Sequence, residues 1–160
     1  MSKASNSTAG RGDNAAMHEF VTMSIAGQRF GIPVLQVQDV LGPQRIARIP
    51  LSPGWVAGAL NLRGRIVTAI DARRRLGLAK SQQPGMEMFI VVEHDAELYS
   101  LIVDEVGEVM EYDADAIGPN PPTLDPVWRQ ISMGIVQSAE ALLVILNVKK
   151  LFALAQADAA

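Results

Sequence analysis

Residues 55–78, Trp55 to Leu78, read WVAGALNLRGRIVTAIDARRRLGL, and this stretch decides the fold. Val56–Leu60 and Ile66–Ile70 are apolar runs of strand length, separated by Asn61-Leu62-Arg63-Gly64. An asparagine at the head of the break and a glycine free to take positive φ at its end are hairpin chemistry. The expected hairpin lifts Leu62 and Arg63 together to its tip. An apolar contact beside a forked cation suits a protein partner better than a small substrate. After the second strand, Asp71 is placed to cap the orphan amides of a short helix, Ala72–Leu76, that Gly77 stops.

Composition narrows the rest. Apolar residues make up 49% of the 160 and charged residues 19%, so the chain can bury a core and is not disordered throughout. No apolar run approaches the ~20 residues of a membrane span. Residues 1–16, MSKASNSTAGRGDNAA, lack the apolar stretch of a signal peptide and are expected to be a disordered tail. The chain has no cysteine, which excludes disulfides, thiolate nucleophiles and Cys-ligated metals. A cytoplasmic location is the expectation. A formal charge of −3 argues against nucleic acid as the main partner.

Along the chain, Val21, Met23 and Ile25 alternate with polar residues as a half-buried strand does, and Gly27 turns it into Arg29–Ile32. Pro33 ends that pairing. Val37–Leu41 and Ile46–Ile49 are further strand candidates before the hairpin. Polar Lys80–Gly85 is a linker, and Met88–Val92, Leu98–Val103 and Val106–Tyr112 follow as strands. Gly118–Pro126 holds four prolines in nine positions and is expected to be irregular. Ile131–Val136 and Leu142–Leu146 form the last hairpin, and a C-terminal helix begins at Val148 and ends near 157, with Val148, Leu151, Phe152 and Ala155 on one stripe. Trp55 and Trp128 each follow a proline loop and are expected to lid two cores.

The halves repeat. Val34-Leu35-Gln36-Val37-Gln38-Asp39-Val40 has the form V-x-x-V-x-(D/E)-V, and so does Val103-Asp104-Glu105-Val106-Gly107-Glu108-Val109, 69 positions later. Gly58 lies twelve residues before Ile70, which opens a cap-and-basic-helix pattern, and Gly134 lies twelve before Leu146, which opens another. Two subdomains of one design follow from this, about 37–84 plus the N-terminal strand and about 86–147. The second copy has Gln137-Ser138-Ala139-Glu140-Ala141 in place of the Asn-Leu-Arg-Gly tip, so the first tip is the specialised one.

The run G-x-x-N-L-R-G-x-I-V-x-x-I-D-x-R-x-x-L-G-L closely resembles the signature of the CheW family of bacterial chemotaxis coupling proteins, a domain also found in the kinase CheA and in CheV. The resemblance covers about Glu19 to Leu154. It implies an all-β fold of two SH3-like five-stranded barrels packed together, with short helices and a C-terminal helix. It also implies a non-catalytic adaptor that needs no cofactor or metal. Its partners would be a methyl-accepting chemoreceptor cytoplasmic tip and a CheA-type histidine kinase regulatory domain, met at membrane-associated arrays without membrane insertion. The arginine of N-L-R-G, here Arg63, would carry coupling, and Val37, Asp39, Gly58, Leu62, Val106 and Val109 fall at or beside family contact positions. Thr68, Ala72 and Asn147 depart from the usual proline, leucine and aspartate, and Asp39 is a shortened glutamate.

Each of these residues also has a plainer reading. Arg63 either anchors a partner carboxylate or pairs with an acid of its own chain. Asp39 either faces water or is paired. The valines serve contact or core packing, and Gly58 serves contact or a tight strand approach. Arg73, Arg74 and Arg75 suit the last turn of a helix. No interleaved aromatics support the rival class, a small-barrel nucleic-acid-binding module. His18 and His94 stand in no metal spacing, and no nucleophile elbow or phosphate-cradling loop is present. The densest acidic cluster, Asp104, Glu105 and Glu108, is not expected to converge on a strand.

Overall fold

The structure, a computed structural model, describes residues 17–159 except 82, 139 and 140, with side chains through 153. The expected tail over 1–16, the centre of the second-repeat turn and the Ala155 side chain lie outside the described residues.

Tight hairpins build the molecule. β1 (Met17–Ile25) turns into β2 (Gln28–Pro33) through Ala26 and Gly27, at φ 52° and 84°. β4 (Val56–Leu62) turns into β5 (Arg65–Asp71) through Arg63 and Gly64, at φ 53° and 85°. β6 (Met88–His94) turns into β7 (Glu97–Val103) through Asp95 and Ala96, at φ 53° and 67°. Positive φ at both central residues matches the turn to the right-handed strand twist. Single strands β3 (Val37–Leu41), β8 (Glu105–Asp113) and β9 (Ile117–Gly118) and a last hairpin, β10 (Ser132–Gln137) with β11 (Leu142–Leu146), complete the sheets. The helices are α1 (Ala72–Arg75), α2 (Pro126–Ile131) and α3 (Val148–Ala159).

The strands form a five-stranded sheet, β3-β6-β7-β5-β4, and a six-stranded sheet, β9-β10-β11-β2-β1-β8. Both carry one parallel pairing, Thr68 opposite Tyr99 in β5/β7 and Leu143 opposite Arg29 in β11/β2. The repeat is therefore real, with β3-β6-β7-β5-β4 matching β8-β1-β2-β11-β10. The expected division of the chain into halves is corrected, however. The N-terminal hairpin β1–β2 belongs to the sheet of β8, β10 and β11, while β6–β7 joins β3, β4 and β5. Each module borrows a hairpin from the other half of the chain. A sequence repeat reports what an element is and is silent about the sheet in which it pairs.

The exchange sets the core. One large cluster joins Met23, Ile25, Phe30 and Ile32 of the six-stranded sheet to Ile70, Ile90, Val92 and Leu101 of the other. Smaller clusters lie to either side, around Leu60, Val67 and Phe89, and around Phe20, Val136 and Ile145. Helix α2 was not expected from the proline-rich segment. Proline fits its first turn, and the Asp125 carboxylate accepts the Val127 N–H at 2.9 Å. It drives Trp128 into the shared core, edge-on to Phe30 at 5.0 Å, so Trp128 is a core residue and not a lid. Ile46–Ile49 is no strand; only Ala47 bridges Ala59, with both N–H···O contacts at 2.8 Å. Asp71 caps α1 as expected. Phe152 of α3 stacks on His94 at 4.5 Å, pinning the helix to the β6–β7 hairpin.

Candidate protein-docking site

The tip of β4–β5 is locked from within: the Asn61 carboxamide oxygen accepts the Gly64 N–H at 2.8 Å. Arg63 therefore sits at positive φ beside the glycine, and its side chain is 76% exposed. Its guanidinium donates to the Asp39 carboxylate at 2.9 Å. Asp39 is on β3 and Arg63 follows β4, the opposite edges of one sheet. The pair thus draws the two edges together on the same side as the Ala47–Ala59 bridge. Asp39 also accepts the Val40 N–H at 2.9 Å, which orients its second oxygen. An ion pair this exposed contributes about 0–1 kcal/mol. It holds the guanidinium in place while leaving most of it in solvent.

The structure separates the other expected site residues. Leu62 is not displayed at the tip; it is half-buried and packs on the small cluster beside Leu60. Strand alternation puts residues 60 and 62 on one inward face. The exposed apolar neighbour is Ile66, 71% accessible and opposite Asn61. Val37 and Val106 are half-buried against the shared core. Gly58 is buried at φ 152°, where a Cβ would run into the Ala47 carbonyl and the Ile46 side chain. Val109 is 53% exposed on β8, an edge of the other sheet. Arg63, Asp39 and Leu62 thus share one rim, and Val106 and Val109 lie on a different module.

Sequence reasoning missed a junction. Asp104 leaves β7 for β8, crossing between the sheets, and receives a forked contact from Arg73 of α1, Nε to Oδ1 at 2.9 Å and Nη2 to Oδ2 at 2.7 Å. The same carboxylate accepts the Ala26 N–H at 2.8 Å, and the Asp104 N–H donates to Ser24 at 3.0 Å. The Arg73 hydrogen bond holds the Asp104 carboxyl below the usual carboxylate range against the opposing effect of burial, and Asp104 raises Arg73 in return. Arg73 is therefore a tie between modules and not merely a helix-end cation. The partners are 31 residues apart, beyond any local pattern.

Among the described residues no three metal-ligating side chains gather, and no helix is long and apolar enough to cross a membrane. Residues 19–156 match the family of CheW-like domains. The chain is 27% identical over 139 residues to the chemotaxis protein CheW of Helicobacter pylori, covering 87% of this chain and 84% of that one. It is 25% identical over 147 residues to a probable chemotaxis protein CheW of Rhizobium etli, covering 92% and 95%. The crystal structure of the scaffolding protein TtCheW from Thermoanaerobacter tengcongensis superposes with a TM-score of 0.73 at 31% identity, over 82% of this chain and 89% of that one.

Proposed function

The chain belongs to the family of CheW-like domains, and on that premise we propose that it is a non-catalytic chemotaxis adaptor coupling chemoreceptor cytoplasmic tips to the regulatory domain of a CheA-type histidine kinase. The observation that carries the proposal is the guanidinium of Arg63, 76% exposed on a rigid turn inside the family's signature run. Forked donors held in one orientation recognise a carboxylate with little loss of freedom on binding. Asp39 orients the group, and Ile66 adds an apolar contact beside it. Val109, on the edge of the second module, offers a separate contact for the other partner. Coupling needs only that binding at one face differ in strength between the signalling states of the partner at the other. Repetition in a cytoplasmic array under the membrane raises the effective affinity of weak single contacts.

The test immobilises the chain and measures capture of a kinase regulatory domain and of a receptor tip fragment. The wild type captures both, and Arg63→Glu loses at least one about tenfold or more. No capture by the wild type overturns the function. Capture untouched by the charge reversal keeps the function and removes the site.

A further inference from the structure

Both modules carry the same irregularity in an edge strand. In β8, Val106 stands opposite Met23 and Val109 opposite Val21, so three steps on β8 match two on β1. In β3, Val37 stands opposite Val92 and Val40 opposite Ile90, with the same extra residue. Each is a β-bulge. In a regular strand, residues three apart point to opposite faces. The bulge turns the second valine back, so the V-x-x-V spacing of the repeat is the spacing of a bulged edge. Val106 and Val109 therefore share the face of Met23 and Val21. Val106 is half-buried against the shared core, and Val109 is 53% exposed.

The two bulges are held by different chemistry. In β3 the tie lies outside: the Asp39 carboxylate accepts the Val40 N–H at 2.9 Å and is itself held by Arg63. The equivalent acid in β8, Glu108, forms no salt bridge among the described residues. There the tie comes from within. Thr22 lies across from the bulge with no exposed surface, and its hydroxyl donates to the Glu108 carbonyl at 2.6 Å. A buried hydroxyl is costly unless it is bonded, and a bulge leaves backbone groups without ladder partners, so each satisfies the other. The residue across from the β3 bulge is Val91, equally buried and without a hydroxyl. Gly107 leaves room for the contact: a Cβ there would stand 2.7 Å from the Thr22 hydroxyl oxygen.

We propose that Thr22 is a positioning residue for docking on the β8 edge: its hydroxyl holds the bulge that keeps Val106 and Val109 on one face and leaves Val109 in solvent. The inference rests on the reading of Val109 as a partner contact. Without the hydroxyl, the Glu108 carbonyl loses its side-chain partner, and a one-residue slip that restores a regular ladder becomes less costly. That slip carries Val109 to the other face of the sheet. The Arg63 rim lies on the other module and is bounded by its own tie.

Capture of a kinase regulatory domain and of a receptor tip fragment by the immobilised full chain tests this, together with the amide spectrum of the chain alone. Val109→Asp identifies the partner that docks on the β8 edge. Thr22→Val keeps the shape of the side chain and removes the hydroxyl. It weakens capture of that partner about tenfold or more and leaves capture of the other unchanged. Its amide signals move over residues 106–109 and stay in place at the β4–β5 tip. Thr22→Ser, which keeps the hydroxyl, behaves as the wild type in both readings. Gly107→Ala, whose added methyl displaces the hydroxyl from the opposite strand, reproduces the Thr22→Val pattern with the threonine still present. Equal loss of both partners by Thr22→Val is a general loss of structure and overturns the positioning role. Full capture by Thr22→Val while Val109→Asp is defective overturns this inference alone. Full capture of both partners by Val109→Asp overturns the reading of Val109 beneath it, and the role of Thr22 with it.

Discussion

Gly58→Ala separates two roles that this glycine has been given, partner contact and close backbone approach. The new Cβ would collide with the carbonyl oxygen of Ala47 and with Ile46, on a backbone held at φ 152°. The carbonyl is fixed because Ala47 and Ala59 exchange two hydrogen bonds of 2.8 Å beside it. Backbone strain costs about 1–3 kcal/mol. Displacing the bridge adds about 1–3 kcal/mol of overpacking. Together, at about 2–4 °C per kcal/mol for a chain of this size, the melting temperature falls by about 4–24 °C. Urea unfolding with an unchanged slope confirms that the loss is stability alone. Gly64→Ala, at φ 85° with open space around its Cβ, is the control and costs about 1 kcal/mol. The mirrored Gly134→Ala falls between them, since its nearest neighbours, Gly118 and Ile117, stand at 3.0 Å. Below its melting temperature, Gly58→Ala still captures partners. An unchanged melting temperature with lost capture refutes the packing account and makes Gly58 a contact.

Asp104→Asn breaks a charged hydrogen-bond junction and costs about 1.5–3 kcal/mol near neutral pH. The native carboxyl is held low by Arg73, so its contribution is present above the ordinary carboxylate range and is lost as pH falls through the lowered value. The wild type therefore loses stability to acid in that window, and the variant shows a smaller loss there; equal acid sensitivity of the two in thermal melts rejects the tie. Cleavage of the chain within the Lys80–Gly85 linker leaves each fragment lacking a hairpin of its sheet. Neither fragment folds alone and the mixture regains strand signal by circular dichroism, whereas a fragment that melts cooperatively by itself contradicts the exchanged topology.

Local chemistry was legible in the sequence where it was complete within a few residues. Asn61 and Gly64 specify their turn, Asp71 its cap, and the V-x-x-V motif its recurrence. The exchanged hairpins were not legible, because β1–β2 and β6–β7 have equivalent patterns and either sheet accepts either by pattern alone. Helix α2 was hidden because the prolines before it dominate the composition, although Asp125-Pro126 is itself a start signal. At the site, the exposure of Arg63 followed from the turn, while its partner Asp39 lies on the opposite sheet edge and belongs to the tertiary fold. Leu62 was misplaced by reading the tip as a unit when the strand period runs through it.

The exchange bears on how an adaptor of this kind works. Two modules that meet at a simple interface can hinge apart, and a partner on one then reaches the other only through a small contact area. Here each sheet contains a hairpin from the opposite half of the chain, and one continuous cluster runs from Met23 and Phe30 to Ile90 and Leu101. Separating the modules leaves the strand pairings intact, but it exposes that cluster and pulls on the two short crossovers, Val34–Gln36 and Asp104, so hinging is opposed by the core. The Arg63 rim and the β8 edge are therefore held in fixed relation by the core itself. What the scaffold transmits is geometry: a partner bound at one face sets the position and orientation at which the other face is offered. The two frames share one topology and differ in their exposed parts, one carrying the Asn-Leu-Arg-Gly tip with Arg63 and the other the edge strand with Val109.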